Sequence, residues 1–421
     1  RTVHTGLLEY KNVYRPARVV SYDKESGELV LHNYMDFDDL KDYVKISYEL
    51  TQDGLVISKG KLAEVSVAPH SEGKISLNIN VPENGKCYLK LIYQLKKEMP
   101  LLEKDHILGF DEIEVSQKDA KCQLAEKWLE KTSADSELQV NENDTQIHIK
   151  GREFAYTIDR RTALFTEMKF AGREYLNHPM ELNIWRAPTD NDMYIKSEWR
   201  KAHYDKAYTR AYTTEVVQGK HGVKITSHAS VVAETVQKIL DVTITWKIEA
   251  AGKIDADIAV TKDDEFPDLP RFGVRMFLDK KLSAVRYFGM GPQESYCDKH
   301  QAASHGLYRA DVGDLHEDYI RPQENGSHYD CEYVELNNSR YGIVASAEKA
   351  FSFNASYYTQ EELEKKTHNY ELTESDSVVF CVDYALNGIG SNSCGPVVLD
   401  QYRFNDVLFR FQFTLVPYVK G

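Results

Sequence analysis

Apolar and polar residues alternate with a period of two along most of the chain, which is the pattern of strands with one face buried. From "YRPARVVSYD" onward, such runs recur as "ELVLHNY", "DYVKISYELTQ", "KLAEVSVAP", "GKISLNINV" and "CYLKLIYQLKK". Turn formers such as "DGL" and "PENGK" separate them. Six or seven short strands in about a hundred residues predict an immunoglobulin-like sandwich over residues 13–118. Within it, "FDDLKD" reads as a loop or a turn of helix, and residues 1–12 read as a tail. Residues 119–145 are charged and poor in β-branched residues, which predicts a linker with a helical turn near Leu124–Leu129. Period-two runs then resume with "TQIHIKG", "EFAYTID" and "LFTEMKFAG". They continue through "KILDVTITWKIEAAGKIDADIAVT" to "DSVVFCVDYAL" and "RFNDVLFRFQFTLVPY". Long alternating strands without βαβ units predict a large antiparallel sandwich over residues 146–421. The clearest helix is "TQEELEKK", Thr359–Lys366, opening on a Thr-x-x-Glu capping box.

Composition supports a folded chain of more than one domain: 421 residues, 42% hydrophobic and 11% aromatic, with 27 Tyr. The net charge of −14 argues against a nucleic-acid partner, and a neutral carbohydrate is compatible with it. No apolar run approaches the length of a transmembrane helix. Six cysteines without a Cys-x-x-Cys pair fit free thiols better than a disulfide scaffold or a zinc site. The start at "RTVHTGLLEY", with neither Met nor an apolar leader, suggests a piece of a longer protein.

Four polar stretches carry the candidate chemistry. In "NIWRAPTDND", Asn183–Asp192, Pro188 ends a strand and Asp190, Asn191 and Asp192 follow. These residues suit a ligand-facing loop or a plain Asx turn, and the spacing is wrong for a Ca²⁺ loop. "YFGMGPQESYCDKHQAASHGLY" brings Glu294, Asp298, His300 and His305 after a Gly-Pro turn. "YIRPQENGSHYDCEYVEL" brings Arg321, Glu324, Asn325 and His328. Two carboxylates from two loops are the raw material of a glycosidase. A His with a carboxylate could instead move protons at an anomeric centre. The plainer reading is that Arg321 and Glu324 pair to hold long turns, because buried charges need partners. In "GIGSNSCGP", Gly388–Pro396, Cys394 sits at a flexible tip without a nearby His, so a packing or rim role is expected rather than nucleophilic catalysis.

Taken in order, these four stretches resemble the signature runs of the small-chain, C-terminal domain of large bacterial β-galactosidases, glycoside hydrolases of family 2. The opening "RTVHTGLLEYKNVYRPARV" is similar to the segment leaving the catalytic barrel in those enzymes, and "LHNYMDFDDLKDYVKISYELTQDG" to their second immunoglobulin-like domain. The resemblance covers nearly the whole chain. It implies an immunoglobulin-like sandwich followed by a super-sandwich related to galactose mutarotase. It also implies that the two catalytic Glu residues, with Mg and Na as metals, lie on a barrel preceding residue 1. This chain would then be non-catalytic, with no metal or cofactor of its own, and Glu294 and Glu324 match neither catalytic residue. Its partners would be that barrel or a large subunit, the β-galactoside bound by the intact enzyme, and further copies in a homo-oligomer. The expected pocket rim is Asp190, Asn191, Asp192, Asn392 and Cys394. The expected structural network is Arg186, Glu294, Asp298, Arg321, Glu324 and Asn325, with Trp185 packed in the sandwich. Where some members carry a Trp that stacks on sugar, this chain has Cys394, which offers little stacking area. A cytoplasmic location is expected, with the periplasm as the alternative. The rival reading is a stand-alone carbohydrate-binding or mutarotase-like protein using His300, His305 or His328 with Glu294.

Overall fold

A computed structural model describes residues 3–116, 138–390 and 392–420. The helical turn expected near Leu124–Leu129, most of the expected linker, and Cys122 lie outside the described residues. The chain divides into two compact units. The first holds the chain up to the undescribed segment together with Phe288–Pro292 and His300–Leu307, and the second holds the rest.

In the first unit, helix α1 (Thr5–Val13) occupies what was expected to be a tail. Asn12 locks it in place, with its Nδ2 donating to Phe110 O and its Oδ1 accepting from Phe110 N. Strands β1 (Ala17–Asp23), β2 (Glu28–Asn33) and β5 (Glu72–Ser76) form one sheet. Strands β3 (Val44–Gln52), β4 (Leu55–Lys61), β6 (Cys87–Leu95) and β7 (Ile107–Ser116) form the other, in the order β4-β3-β6-β7. The period-two residues Leu29, Leu31, Ile46, Leu50, Leu89, Leu91 and Tyr93 meet in one core between them. Asp53 and Gly54 both take positive φ in the two-residue turn between β3 and β4, the geometry a tight hairpin requires. "FDDLKD" closes as the short helix α2 (Leu40–Tyr43), capped by Asp39. "KLAEVSVAP" departs from expectation. Only its first residue belongs to a strand, although Val65 and Val67 remain buried. Val67 O instead accepts from Leu40 N and from Asn33 Nδ2, so side-chain and loop bonds replace the ladder.

The second unit begins with strand β8 (Gln139–Glu142), inside the segment expected to be linker. It joins β9 (Gln146–Lys150), β10 (Phe154–Asp159), β11 (Leu164–Phe170) and β12 (Arg173–Glu174) in a five-stranded sheet. The remaining strands build a twelve-stranded sheet, of which Phe288–Gly291 and Ser304–Leu307 are counted with the first unit. They are β13 (Leu176–Asn183), β14 (Tyr208–Gln218), β15 (Gly222–Val232), β16 (Leu240–Glu249), β17 (Ile254–Lys262) and β18 (Arg271–Asp279), followed by β19 (Ala284–Gly291), β20 (Ser304–Asp311), β21 (Ser327–Asn337), β22 (Tyr341–Ser356), β23 (Ser377–Leu386) and β24 (Leu408–Val419). The main path runs β13-β18-β23-β22-β24-β17-β16-β15-β14, antiparallel throughout. Trp246 ties the two sheets together. It meets Phe165 edge-on at 4.9 Å and donates its indole N–H to Ala163 O at 2.8 Å. Two short helices, α3 (Ile195–Lys201) and α4 (Gln360–Lys365), flank the sheets. Thr359 caps α4 as expected, whereas the Glu362 carboxylate turns to Thr373 N, so the reciprocal arm of the box is replaced.

At Gly273 on β18, an added Cβ would lie 2.2 Å from Val382 O and 2.7 Å from Asp383 Cα, both backbone atoms of the neighbouring strand. Gly273→Ala is expected to lower stability by about 3 kcal/mol or more, read as a shift of the urea midpoint at unchanged slope.

Candidate functional site

Strand β13 ends at Asn183, whose Oδ1 accepts from Trp185 N and turns the chain. Trp185 is buried, meets Trp199 edge-on at 6.2 Å and donates Nε1–H to Glu364. Arg186 is wholly buried. Its Nε and Nη2 donate to the two oxygens of Asp192 at 3.1 and 2.7 Å, and its guanidinium lies 5.2 Å from the Trp199 ring centre. Its other N–H groups reach Asn387 O and Gly388 O, so the loop at 183–192 is tied to the loop after β23. Burial works against the charge on Arg186, but Asp192 more than offsets it and holds the guanidinium pKa above its ordinary value.

A second guanidinium, Arg271, sits beside this one in the network. It grips Asp383 through Nε and Nη2 at 3.1 and 2.5 Å, and its Nη1 donates to both oxygens of Glu324 at 3.2 and 3.3 Å. Glu324 N in turn donates to Ala187 O. Two cations therefore face three carboxylates with almost no solvent. Burial raises the pKa of both Glu324 and Asp383 against the pull of Arg271. This corrects the expected pairing of Arg321 with Glu324. Arg321 is exposed, and the buried carboxylate takes the buried cation, where desolvation makes a partner obligatory.

Glu294 forms the third knot. Its carboxylate accepts from Lys299 Nζ, Tyr319 OH and Gly326 N. Burial opposes its ionisation, yet Lys299 and these hydrogen bonds hold its carboxyl below the ordinary Glu range. A group with its oxygens so engaged is placed to anchor loops rather than to move protons. Asn325 bridges Glu317 N and Gln323 O, and its own carbonyl accepts from Asn354 Nδ2.

Asp298 supports the glycine-rich loop. Its oxygens accept from Ile389 N at 3.0 Å and Gly390 N at 2.7 Å. A Cβ at Gly388 would stand 2.7 Å from Asp298 Oδ2, so the approach needs glycine there. Asn191 Nδ2 donates to Ile389 O at 2.6 Å, bringing the first and last stretches together. Beyond this anchor Asn392 takes φ +94°, and Cys394 is exposed. Asp190 is also exposed, its backbone N–H donating to Gln323 Oε1. Asp192, expected at the rim, is instead buried and spent on Arg186 and Thr189 N.

The four sequence stretches thus converge on one hydrogen-bonded hub in the second unit. Of the histidines in the rival reading, His300 and His305 fall in the first unit and His328 in the second. His305 is committed to Glu112 at 2.7 Å and stacks on Tyr88, while His328 is buried against Phe353. The sequence reading missed Arg271, Asp383, Lys299 and Tyr319. A lone Asp inside the apolar run "VVFCVDYAL" was the available signal, since a charge there demands a buried partner.

Residues 150–415 match the family described as the β-galactosidase small chain, and residues 29–116 match β-galactosidase domain 4. The chain belongs to the β-galactosidase small-chain family. A β-galactosidase from Actinobacillus pleuropneumoniae is 43% identical over 99% of this chain, and one from Staphylococcus xylosus is 31% identical over 99%. The chain spans about 40% of the length of the curated relatives it matches. Among solved structures, a galactose 1-epimerase from Lactobacillus acidophilus aligns with 69% of the chain at 8% identity and a TM-score of 0.37, a score from which nothing is drawn. The four stretches that build the hub all lie within the matched residues 150–415.

Arg186→Ala would leave Asp192 buried without its cation, and a loss of about 3–5 kcal/mol in urea unfolding is expected. Glu294 has a depressed folded pKa. Its stabilisation is therefore complete above the unfolded pKa and is lost as pH falls through the folded one. Glu324 and Asp383, raised, carry the opposite sign. The difference between Glu294→Gln and parent isolates Glu294: the variant should lose less stability than the parent between about pH 5 and pH 3.

Proposed function

We propose that this chain is the C-terminal, non-catalytic part of a β-galactosidase that hydrolyses terminal β-D-galactosides. In this reading the reaction is a retaining double displacement by two Glu residues on a barrel outside the chain. Mg, with Na as a second candidate, belongs to that barrel. Among the described residues of this chain no group of three or more His, Cys, Asp or Glu is placed to hold a metal. The role of the chain is to close the aglycone side of the pocket and to stabilise the assembly. Its partners are then the barrel, within one protein or as a large subunit, and further copies of the enzyme.

The observation that carries this reading is the anchored turn after β23. Asp298 and Asn191 fix Ile389 and Gly390, and half-buried Asn392 and exposed Cys394 follow that anchored segment. A hub of buried ion pairs is a costly way to hold a loop, and it suits a loop whose position matters to a neighbouring site. Exposed Asp190 and half-buried Asn191 supply the polar part of the same rim.

Mixing the chain with the separately produced barrel-containing part should restore hydrolysis of a nitrophenyl β-galactoside at micromolar concentrations. Absence of both hydrolysis and co-elution would overturn the proposed association. In the active assembly, Cys394→Trp is expected to lower KM for an aryl galactoside about threefold to tenfold with little change in kcat, because an indole adds stacking that a thiol lacks.

A further inference from the structure

Strand β22 changes partner along its length. It pairs with β24 over Tyr341–Ser346 and with β23 over Ser352–Ser356. Between the two zones its register with β21 breaks: Tyr333 faces Ser346, whereas Cys331 faces Phe351. The sheet parts there, and a cleft of about 480 Å³ opens between the ends of β23 and β24. Buried Phe351, Phe404 and Phe411 form part of its lining. Tyr329, Tyr384 and Tyr402 contribute half-buried rings, and Tyr384 stacks on Phe409 at 4.9 Å.

The polar lining discriminates between ligand classes. Asp330, Glu348 and Asp406 balance Lys349, Arg403 and Arg410. Arg403 is already held by Asp268 at 2.7 Å and Arg410 by Asp257 at 2.6 Å. No uncompensated guanidinium is therefore left to draw a phosphate. Aromatic rings beside carboxylates and the amides of Gln401 and Gln412 suit a ring-shaped ligand with apolar C–H faces and many hydroxyls. We infer that this cleft binds an uncharged mono- or disaccharide. The site is distinct from the rim assigned above, because its lining includes neither Asn392 nor Cys394.

Saturation-transfer NMR on the 421-residue chain tests this without any hydrolysis, using lactose, galactose and glucose as probes. Transfer to sugar ring protons is expected, with a Kd on the order of 1 mM for at least one of them. Tyr402→Ala and, separately, the exposed Asp406→Ala should each weaken binding about fivefold or more at an unchanged melting temperature. Cys394→Ser should leave it unchanged, and glucose 6-phosphate should bind no tighter than glucose. No transfer from any of the three sugars at about 20 mM would overturn the inference, as would binding that survives both substitutions or tighter binding of the phosphate. Tyr402→Ala is expected to leave barrel complementation intact, so failure here and failure of the galactosidase reading are told apart by separate measurements.

Discussion

Two guanidinium groups without solvent, Arg186 and Arg271, are the constraint on which the second unit depends. Removing an arginine from water costs several kcal/mol, and only a full set of acceptors offsets it. Asp192, Asp383 and Glu324 supply the charge, and the carbonyls of Asn387 and Gly388 supply the rest. Because these acceptors come from three separate parts of the chain, around Asp192, Glu324 and Asp383–Gly388, satisfying the arginines forces those parts together. The loops are long and polar and would otherwise have many conformations, and the ion pairs select one.

The same economy explains the glycines and the neutral polar residues of the hub. Backbone N–H groups of Ile389, Gly390 and Gly326 point at carboxylates, so the acids Asp298 and Glu294 act as caps for irregular backbone that no sheet pairs. Irregular backbone is thereby held by buried side-chain acceptors where no strand ladder pairs it. A loop carrying the exposed Cys394 on such a base is suited to a pocket wall, which must hold its place without being part of a core.

Much of the architecture was legible because strand periodicity is a local signal. Runs such as "TITWKIE" and "FRFQFTL" place alternate residues on the core face whatever their neighbours do. "KLAEVSVAP" shows where this fails: its alternation is real and its valines are buried, yet the hydrogen bonds go to Asn33 and Leu40. α1 and β8 were also missed, because short elements with mixed composition are decided by what they dock on. At the candidate site the sequence flagged most of the residues but not their partners. Arg321 and Glu324 are three apart in one loop, and proximity along the chain favoured pairing them. The fold instead sets Arg271, from another strand, against Glu324 and leaves Arg321 in water.

By itself the sequence determined the all-β class and, through four ordered motifs, the family. Both rest on short-range pattern and residue identity, which survive without coordinates. Tertiary structure alone decided which charges are buried, and therefore which carboxylates answer which arginines. It also decided that β22 abandons β24 for β23 and opens a cleft. Burial and strand parting arise from contacts between residues far apart in the chain, and no local pattern encodes the distance at which those residues meet.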